Sequence, residues 1–182
     1  MVYTWNDLVL KEGGTNQAFA SVSRRKYVKV AHGIYVDDGV FISELEQLFA
    51  RYPRATLTMQ SAFDYYELSD YVPDKYYITT PYNSHTIGNK KVVQSYMEEN
   101  MMSIGREKIE TKYGFIYIFD KERMLIELFR LRRKLPSSYF LESVSSYRVL
   151  KSMDAISFSK VSEYSKRIRN GDKLLKAIQE MI

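Results

Sequence analysis

The sequence predicts an α+β protein, with a small module at its start and a larger domain of mixed sheet with C-terminal helices. Two short segments near the start alternate apolar and polar residues, as half-buried strands do. A helix–turn–strand pattern lies in the middle, from Thr56 to Pro81, and apolar residues recur at helical spacing through the last third. We place the first module at residues 1–38 and the larger domain at residues 39–182.

Composition and charge narrow the function classes. The chain has 182 residues, 45% of them hydrophobic, and no cysteine, which removes disulfides, thiolate metal sites and a cysteine nucleophile. We find no apolar run long enough to span a bilayer and no signal peptide, so we expect a cytoplasmic protein without a membrane partner. The net charge is +5, and residues 121–182 hold 14 basic and 7 acidic side chains. A basic segment of this kind suits a polyanion or an acidic partner, although basic helices are often only solvated.

The first module begins with two short predicted helices. Trp5 to Lys11 forms the first, ended by Gly13-Gly14, since glycine adopts the left-handed conformation that closes a helix. The second helix runs from Gln17 to about Arg25, with Thr15 or Asn16 as its cap and with Phe19 and Val22 on its inner face.

A β-hairpin follows the two helices. Tyr27–Val30 and Gly33–Val36 alternate as strands around a tight turn. Helix, glycine turn, basic helix and hairpin is the order of a winged helix-turn-helix, in which a helix end enters the major groove and the hairpin touches the flanking backbone. A hairpin with two small helices that binds nothing is the alternative. The candidate DNA-binding residues are Asn16, Gln17, Arg24, Arg25, Lys26, Lys29 and His32.

The larger domain starts after Asp37-Asp38-Gly39, which we interpret as a hinge. Helical spacing from Phe41 to Tyr52 predicts a helix. Thr58 is then expected to cap another, and strands follow. The predicted strands are Tyr76–Thr80, Lys91–Tyr96, Ile109–Lys112 and Phe115–Phe119.

Asp120 is expected to cap a strong helix that Pro136 closes. Its last turn would hold Arg130, Arg132, Arg133 and Lys134, a charge order that suits the helix dipole. Three further helices are predicted at about Tyr139–Leu150, Phe158–Arg169 and Asp172–Ile182.

Enzyme interpretations find little support. Pro73-Asp74 and, much later, Glu110-Thr111-Lys112 mimic the pattern of a metal-dependent nuclease, but Asp74 precedes its strand and the gap is long. His32 and His85 are far apart in sequence, and no glycine loop suits a phosphate. Glu122-Arg123 is expected to tie a helix start to a neighbouring strand or loop. We therefore expect no cofactor, no metal and no catalytic residue.

Three stretches, beginning RRKYVKV at Arg24, LTMQSAF at Leu57 and IYIFDKE at Ile116, carry a resemblance to a known family. Together they resemble the AbiEi antitoxin family of abortive-infection (AbiE) type IV toxin–antitoxin systems. RRKYVKVAHGIYV, from Arg24, resembles the basic-helix end and wing of that family, although the leading helix of a full winged helix is missing here. LTMQSAFDYYELSDYVPDKYYITTP, from Leu57, and IYIFDKERMLIELFR, from Ile116, resemble its later segments.

The resemblance implies a non-enzymatic antitoxin that represses its own operon and counters a nucleotidyltransferase toxin in phage resistance. Its partners would be operator DNA and the toxin, bound directly or indirectly; a homodimer is left open. The candidate antitoxin surface is the basic set Arg130, Arg132, Arg133, Lys134, Lys166, Arg167 and Arg169. The alternative function is a non-catalytic protein-interaction domain with a vestigial DNA-binding arm.

Overall fold

The computed structural model describes residues 1–182 and has the α+β class that the sequence predicts, with two sheets and C-terminal helices. Contacts divide the chain into two compact units. The first unit contains residues 1–54 and 108–117, and the second contains residues 55–107 and 118–182. The first unit is therefore larger than the module of residues 1–38 predicted from the sequence.

The first 54 residues contain a three-stranded antiparallel sheet and three helices. The sheet order is β1-β3-β2, with Val2 opposite Val36 and Val28 also opposite Val36. The predicted order of helix, glycine turn, helix and hairpin is present, and β1 is an addition that was not predicted from the sequence. The elements are β1 (Val2–Thr4), α1 (Trp5–Glu12), α2 (Thr15–Ser23), β2 (Tyr27–Ala31), β3 (Ile34–Asp37) and α3 (Glu44–Arg51).

One buried cluster of this unit consists of Tyr3, Leu8, Ala18 and Tyr27. Other buried apolar residues of the unit include Ile34, Val36, Leu48 and Phe49. The expectation that Phe19 lies on the inner face of α2 is wrong, since its side chain is 59% exposed and its ring lies 4.6 Å from that of Trp5. Ala18 takes the inner position instead, with its side chain fully buried in the cluster.

Residues 39–54 belong to the first unit. The predicted hinge is a turn in which the amide of Val40 donates to the carbonyl of Asp37 at 3.1 Å. Ser43 and Glu46 then form a capping box at the start of α3, and α3 packs on β1 and β3. Helix α3 therefore belongs with the three-stranded sheet and not with the larger domain to which the sequence assigned it.

The remaining elements form a five-stranded sheet with helices. The strand order is β6-β5-β4-β8-β7, in which β5 runs antiparallel to β4 and parallel to β6. None of the helices is long and apolar enough to cross a membrane. The strands are β4 (Thr56–Leu57), β5 (Tyr76–Pro81), β6 (Val92–Met97), β7 (Arg106–Glu110) and β8 (Phe115–Phe119). The helices are α4 (Met59–Tyr65), α5 (Glu99–Met102), α6 (Lys121–Arg130), α7 (Ser137–Ser152), α8 (Phe158–Lys166) and α9 (Gly171–Met181).

Helix α6 is the central element of the second unit, because every residue from Glu122 to Phe129 is buried. Asp120 caps it as predicted, accepting from the amide of Arg123 at 2.8 Å. The helix ends at Arg130, and a separate 3₁₀ helix holds Arg132–Lys134, so the prediction that these residues form its last turn is wrong. Thr58 likewise occupies the N-cap of α4, but its hydroxyl makes no capping hydrogen bond.

A buried ionic cluster lies along α6. The side chain of Arg123 is 1% exposed and donates to Glu127 Oε1 at 2.8 and 3.1 Å and to the Met101 carbonyl at 3.3 Å. Glu127, also 1% exposed, accepts from Arg130 through its other oxygen at 2.8 Å. Burial lowers the pKa of the Arg123 guanidinium, and the Glu127 charge opposes that shift. Glu122 accepts from the amide of Ser157 at 2.9 Å, so the predicted structural role of the Glu122-Arg123 pair is confirmed.

Replacing Glu127 by Gln should destabilise the second unit strongly. The change leaves the buried guanidinium of Arg123 without its counter-charge, which costs about 3–5 kcal/mol when one partner of a buried pair is removed. Urea unfolding of the wild type, Glu127→Gln and Glu163→Gln would compare their free energies of unfolding. Glu163 is an exposed carboxylate on α8, so its replacement is the control and should cost almost nothing. Equal stabilities would contradict the structural role of the cluster.

Candidate nucleic-acid interface

Two glycines set the turn between α1 and α2. Gly13 closes α1 with a φ of +81°, and Gly14 has a φ of +155°, which only glycine adopts readily. A Cβ at Gly14 would lie 2.6 Å from the Gln17 Oε1 atom. The expectation that Thr15 or Asn16 caps α2 is wrong, because Gly14 is the N-cap. Asn16 and Gln17 consequently lie in the first turn of α2 with exposed side chains, where base edges could be reached.

The carboxylate of Glu12, at the end of α1, joins three elements. It accepts from Ser21 of α2 at 2.6 Å, from Tyr27 of β2 at 2.7 Å and from Lys26 between them at 2.7 Å. These hydrogen bonds, with that of Lys26 the strongest, lower the pKa of the Glu12 carboxyl to about 2. We call this group the Glu12 hub. It fixes α2 and the start of the hairpin on α1.

Two lysines of the first unit are engaged within it. Lys26, a predicted DNA contact, is bound by Glu12 and lies 5.3 Å from the centre of the Tyr27 ring. Lys11 donates to the Tyr3 hydroxyl and lies 4.2 Å from the centre of the Tyr3 ring. No local sequence pattern indicates the engagement of Lys26, because Glu12 and Lys26 are 14 residues apart.

The connection from α2 to β2 presents two free cations. The side chains of Arg24 and Arg25 are exposed and have no hydrogen-bond or ion-pair partner within the protein. Arg25 has a φ of +57°, and the Lys26 amide donates back to the Ser21 carbonyl at 3.0 Å. This is the helix-closing motif in which glycine is the usual left-handed residue, so an arginine there carries a cost of roughly 1–2 kcal/mol.

The β2–β3 hairpin presents Lys29 and His32. Lys29 is exposed and lies opposite Tyr35, just before an irregularity in the strand register between Lys29 and Ala31. His32 occupies the two-residue turn with Gly33, whose φ of +75° suits glycine. Neither side chain has a partner within the protein, so both are available to a ligand.

The basic residues predicted as an antitoxin surface fall into two groups. Arg130 is held by Glu127, and the guanidinium of Arg132 lies 4.8 Å from the centre of the Phe140 ring, which leaves Arg133 and Lys134 exposed and unpaired. The second group, exposed at and after the end of α8, is Lys166, Arg167 and Arg169. Helix α8 is attached to the beginning of α6, because Tyr164 donates to Asp120 at 2.8 Å, whereas the first group follows the end of α6.

No group of three or more histidine or acidic side chains has a geometry that could hold a metal ion. The nuclease-like residues divide between the units: Asp74 lies in the second, and Glu110 and Lys112 lie in the first. His32 and His85 also lie in different units.

Comparison with known proteins identifies a shared fold. No family model matches the chain, and no curated protein sequence matches it. The structure is similar to the crystal structure of the RV2827C protein from Mycobacterium tuberculosis. The TM-score is 0.52 at 14% sequence identity, over 97% of this chain and 71% of that one. A likeness at this identity shows the fold alone.

The Glu12 hub should make the first unit sensitive to acid. A carboxyl whose folded pKa is about 2 stabilises the fold fully above its unfolded value of about 4.5 and loses that contribution as pH falls towards 2. Between pH 5 and 2.5 the melting temperature of the wild type should therefore fall further than that of Glu12→Gln. Asp38→Asn, which removes an exposed carboxylate of the same unit, should fall in parallel with the wild type. A Glu12→Gln curve that also runs parallel to the wild type would refute the hub.

Proposed function

We propose that the first unit binds DNA through the first turn of α2, the α2–β2 connection and the β2–β3 hairpin. The observation that supports this most is that cationic side chains without partners lie on elements that the Glu12 hub holds in place. Arg24, Arg25 and Lys29 are exposed without partners, while the Glu12 hub holds the elements that carry them. Guanidinium and ammonium groups placed this way contact phosphates, and the exposed amides of Asn16 and Gln17 suit base edges.

The resemblance of the sequence to AbiEi antitoxins supplies the biological role in this proposal. The protein would be cytoplasmic, would repress its own operon and would counter a nucleotidyltransferase toxin in phage resistance. The first unit would serve repression, and the second unit would serve the antitoxin function.

Removing the free cations should weaken operator binding. Arg24→Ala/Arg25→Ala should reduce affinity for the DNA upstream of the operon and lower the salt-dependence slope by about 0.9 for each phosphate that the variant no longer neutralises. Fluorescence anisotropy with a labelled duplex measures both quantities. Arg51→Ala, an exposed arginine at the end of α3, is the matched control and should bind like the wild type. Equal affinity of all three proteins would remove the proposal. Weak binding that ignores operator sequence would favour a vestigial arm.

Arg25→Gly should separate stability from binding. Glycine accepts the left-handed backbone at this position at little cost, so the variant should unfold at higher urea, with a gain of up to about 1 kcal/mol. Its operator affinity should nevertheless fall, because a cation is removed. Matched urea and anisotropy titrations test both halves. A variant that is more stable and binds as tightly as the wild type would show that Arg25 does not contact DNA.

The antitoxin surface can be divided by charge reversal. Arg133→Glu/Lys134→Glu and Arg167→Glu/Arg169→Glu each change one of the two exposed basic groups and leave the hydrogen bond between Arg130 and Glu127 intact. We expect one of these pairs to abolish growth rescue during co-expression with the neighbouring nucleotidyltransferase, while Lys173→Glu/Lys176→Glu on α9 still rescues. Circular dichroism would establish that the variants fold. Rescue by all three variants would place the antitoxin function on another surface.

A further inference from the structure

Strand β6 forms an open edge of the five-stranded sheet, since its sole strand neighbour is β5. The amide of Tyr76 donates to the Lys91 carbonyl at 2.7 Å, and that of Tyr82 donates to the Met97 carbonyl at 3.2 Å. Odd-numbered residues of this segment thus turn their peptide groups towards β5. The peptide groups of Gln94 and Tyr96 therefore point away from the sheet, because the direction alternates along a strand.

The composition of this edge offers no protection against pairing. Val92–Met97 reads VVQSYM, with no charged residue and no proline, and Val93 and Tyr96 are exposed. Natural proteins protect open edges with charges, prolines or bulges. The strand at the other end of the sheet, β7, follows that rule, since Arg106–Glu110 (REKIE) is charged at four of its five positions. This contrast between β6 and β7 favours a partner strand that pairs with the open edge of β6.

We propose that β6 pairs with β6 of a second copy of this chain, antiparallel and centred on Gln94. Gln94 then faces Gln94 of the second copy and Val92 faces Tyr96, while the turn that holds Lys90 lies beside Glu98 of the second copy. The flanking charges carry the choice of partner, because a basic residue precedes the strand and an acidic residue follows it. Antiparallel self-pairing places opposite charges together at both ends, whereas parallel self-pairing would place Lys90 against Lys90.

The symmetry of a sheet allows this register. A two-fold axis through an antiparallel pair is perpendicular to the sheet and keeps each side chain on its own face, so one residue must face itself. Centring on Gln94 satisfies this condition and puts Val92, Gln94 and Tyr96 on one face. It also pairs a β-branched residue with an aromatic one, a favourable cross-strand combination.

The outward amide of Val92 already donates to the Asn89 carbonyl at 3.0 Å, which leaves Gln94 and Tyr96 as the outward donors of a strand that is otherwise held in place. Gln94 Oε1 accepts from the Ile87 amide at 2.8 Å, and the Tyr96 hydroxyl lies 3.0 Å from that of Thr86. The inward backbone is held by β5 over its whole length, from Val92 to Met97. Addition of a second strand to such a preformed edge costs little ordering entropy. The proposal does not depend on DNA binding by the first unit.

Proline at position 96 tests the edge directly. The Tyr96 amide points away from β5, so Tyr96→Pro keeps the bonds within the sheet and removes only an outward donor. Tyr96→Ala is the matched control, because it removes the same ring and keeps the amide. In sedimentation velocity over a concentration series the wild type and Tyr96→Ala should dimerise. Tyr96→Pro should show a dissociation constant roughly 30-fold larger than Tyr96→Ala, with unchanged circular dichroism.

A charge exchange tests the register. Lys90→Glu and Glu98→Lys should each weaken the dimer by about tenfold, because each places like charges opposite one another at both ends. The double variant Lys90→Glu/Glu98→Lys should recover the affinity of the wild type. Amide exchange followed by NMR adds a residue-level signature. Gln94 and Tyr96 should become protected as protein concentration rises, while Val93 and Ser95 are protected at every concentration.

Three results would overturn the proposal. A wild type that stays monomeric at the highest concentration leaves no second copy on the edge. Equal dimerisation of the Pro and Ala variants would place the interface elsewhere. Failure of the double charge exchange to restore affinity would reject the antiparallel register centred on Gln94.

Discussion

The carboxylate of Glu12 is the constraint on which the DNA-binding proposal depends. A buried apolar cluster joins α1, α2 and the sheet of the first unit, but apolar contacts have no preferred direction. One ionised carboxylate with three donors adds direction to that packing, because charge-assisted hydrogen bonds are short and directional. The same carboxylate determines which cations remain unpaired: Lys26 is exposed but forms an ion pair with Glu12, whereas Arg24 and Arg25 have no partner.

The main ionic interaction of the second unit is buried, whereas that of the first unit is accessible to water. Its central helix is buried on every side, and the pair of Arg123 and Glu127 is almost completely removed from water. Such a pair contributes little net stability, but it specifies how α6 meets the segment at Met101, because an unpaired charge there would be costly. The basic residues after α6 are consequently of two kinds. Arg130 belongs to this internal cluster, whereas Arg133 and Lys134 are free to meet a partner.

Local signals in the sequence predicted most of the elements. Asp120 caps α6 because a short acidic side chain before an apolar run is a strong helix start, and the aromatic run of β8 is a strand as expected. Errors arose where a tertiary contact decides. A nine-residue helix has too few apolar positions to define its inner face, so the sequence predicts Phe19 on that face although Ala18 is the buried residue. The Glu12–Lys26 pair and the open edge of β6 depend on elements distant in sequence, and no local pattern encodes them.

The most direct test of this account is the salt dependence of operator binding by Lys26→Gln compared with the wild type. If the ion pair with Glu12 keeps Lys26 from neutralising a phosphate, three phosphate contacts by Arg24, Arg25 and Lys29 predict a slope of about −2.7 in a plot of log K against log salt. Lys26→Gln should keep that slope even though it loosens the hub. A slope reduced by about 0.9 in the variant would show that Lys26 contacts a phosphate, and a wild-type slope near zero would contradict binding through these cations.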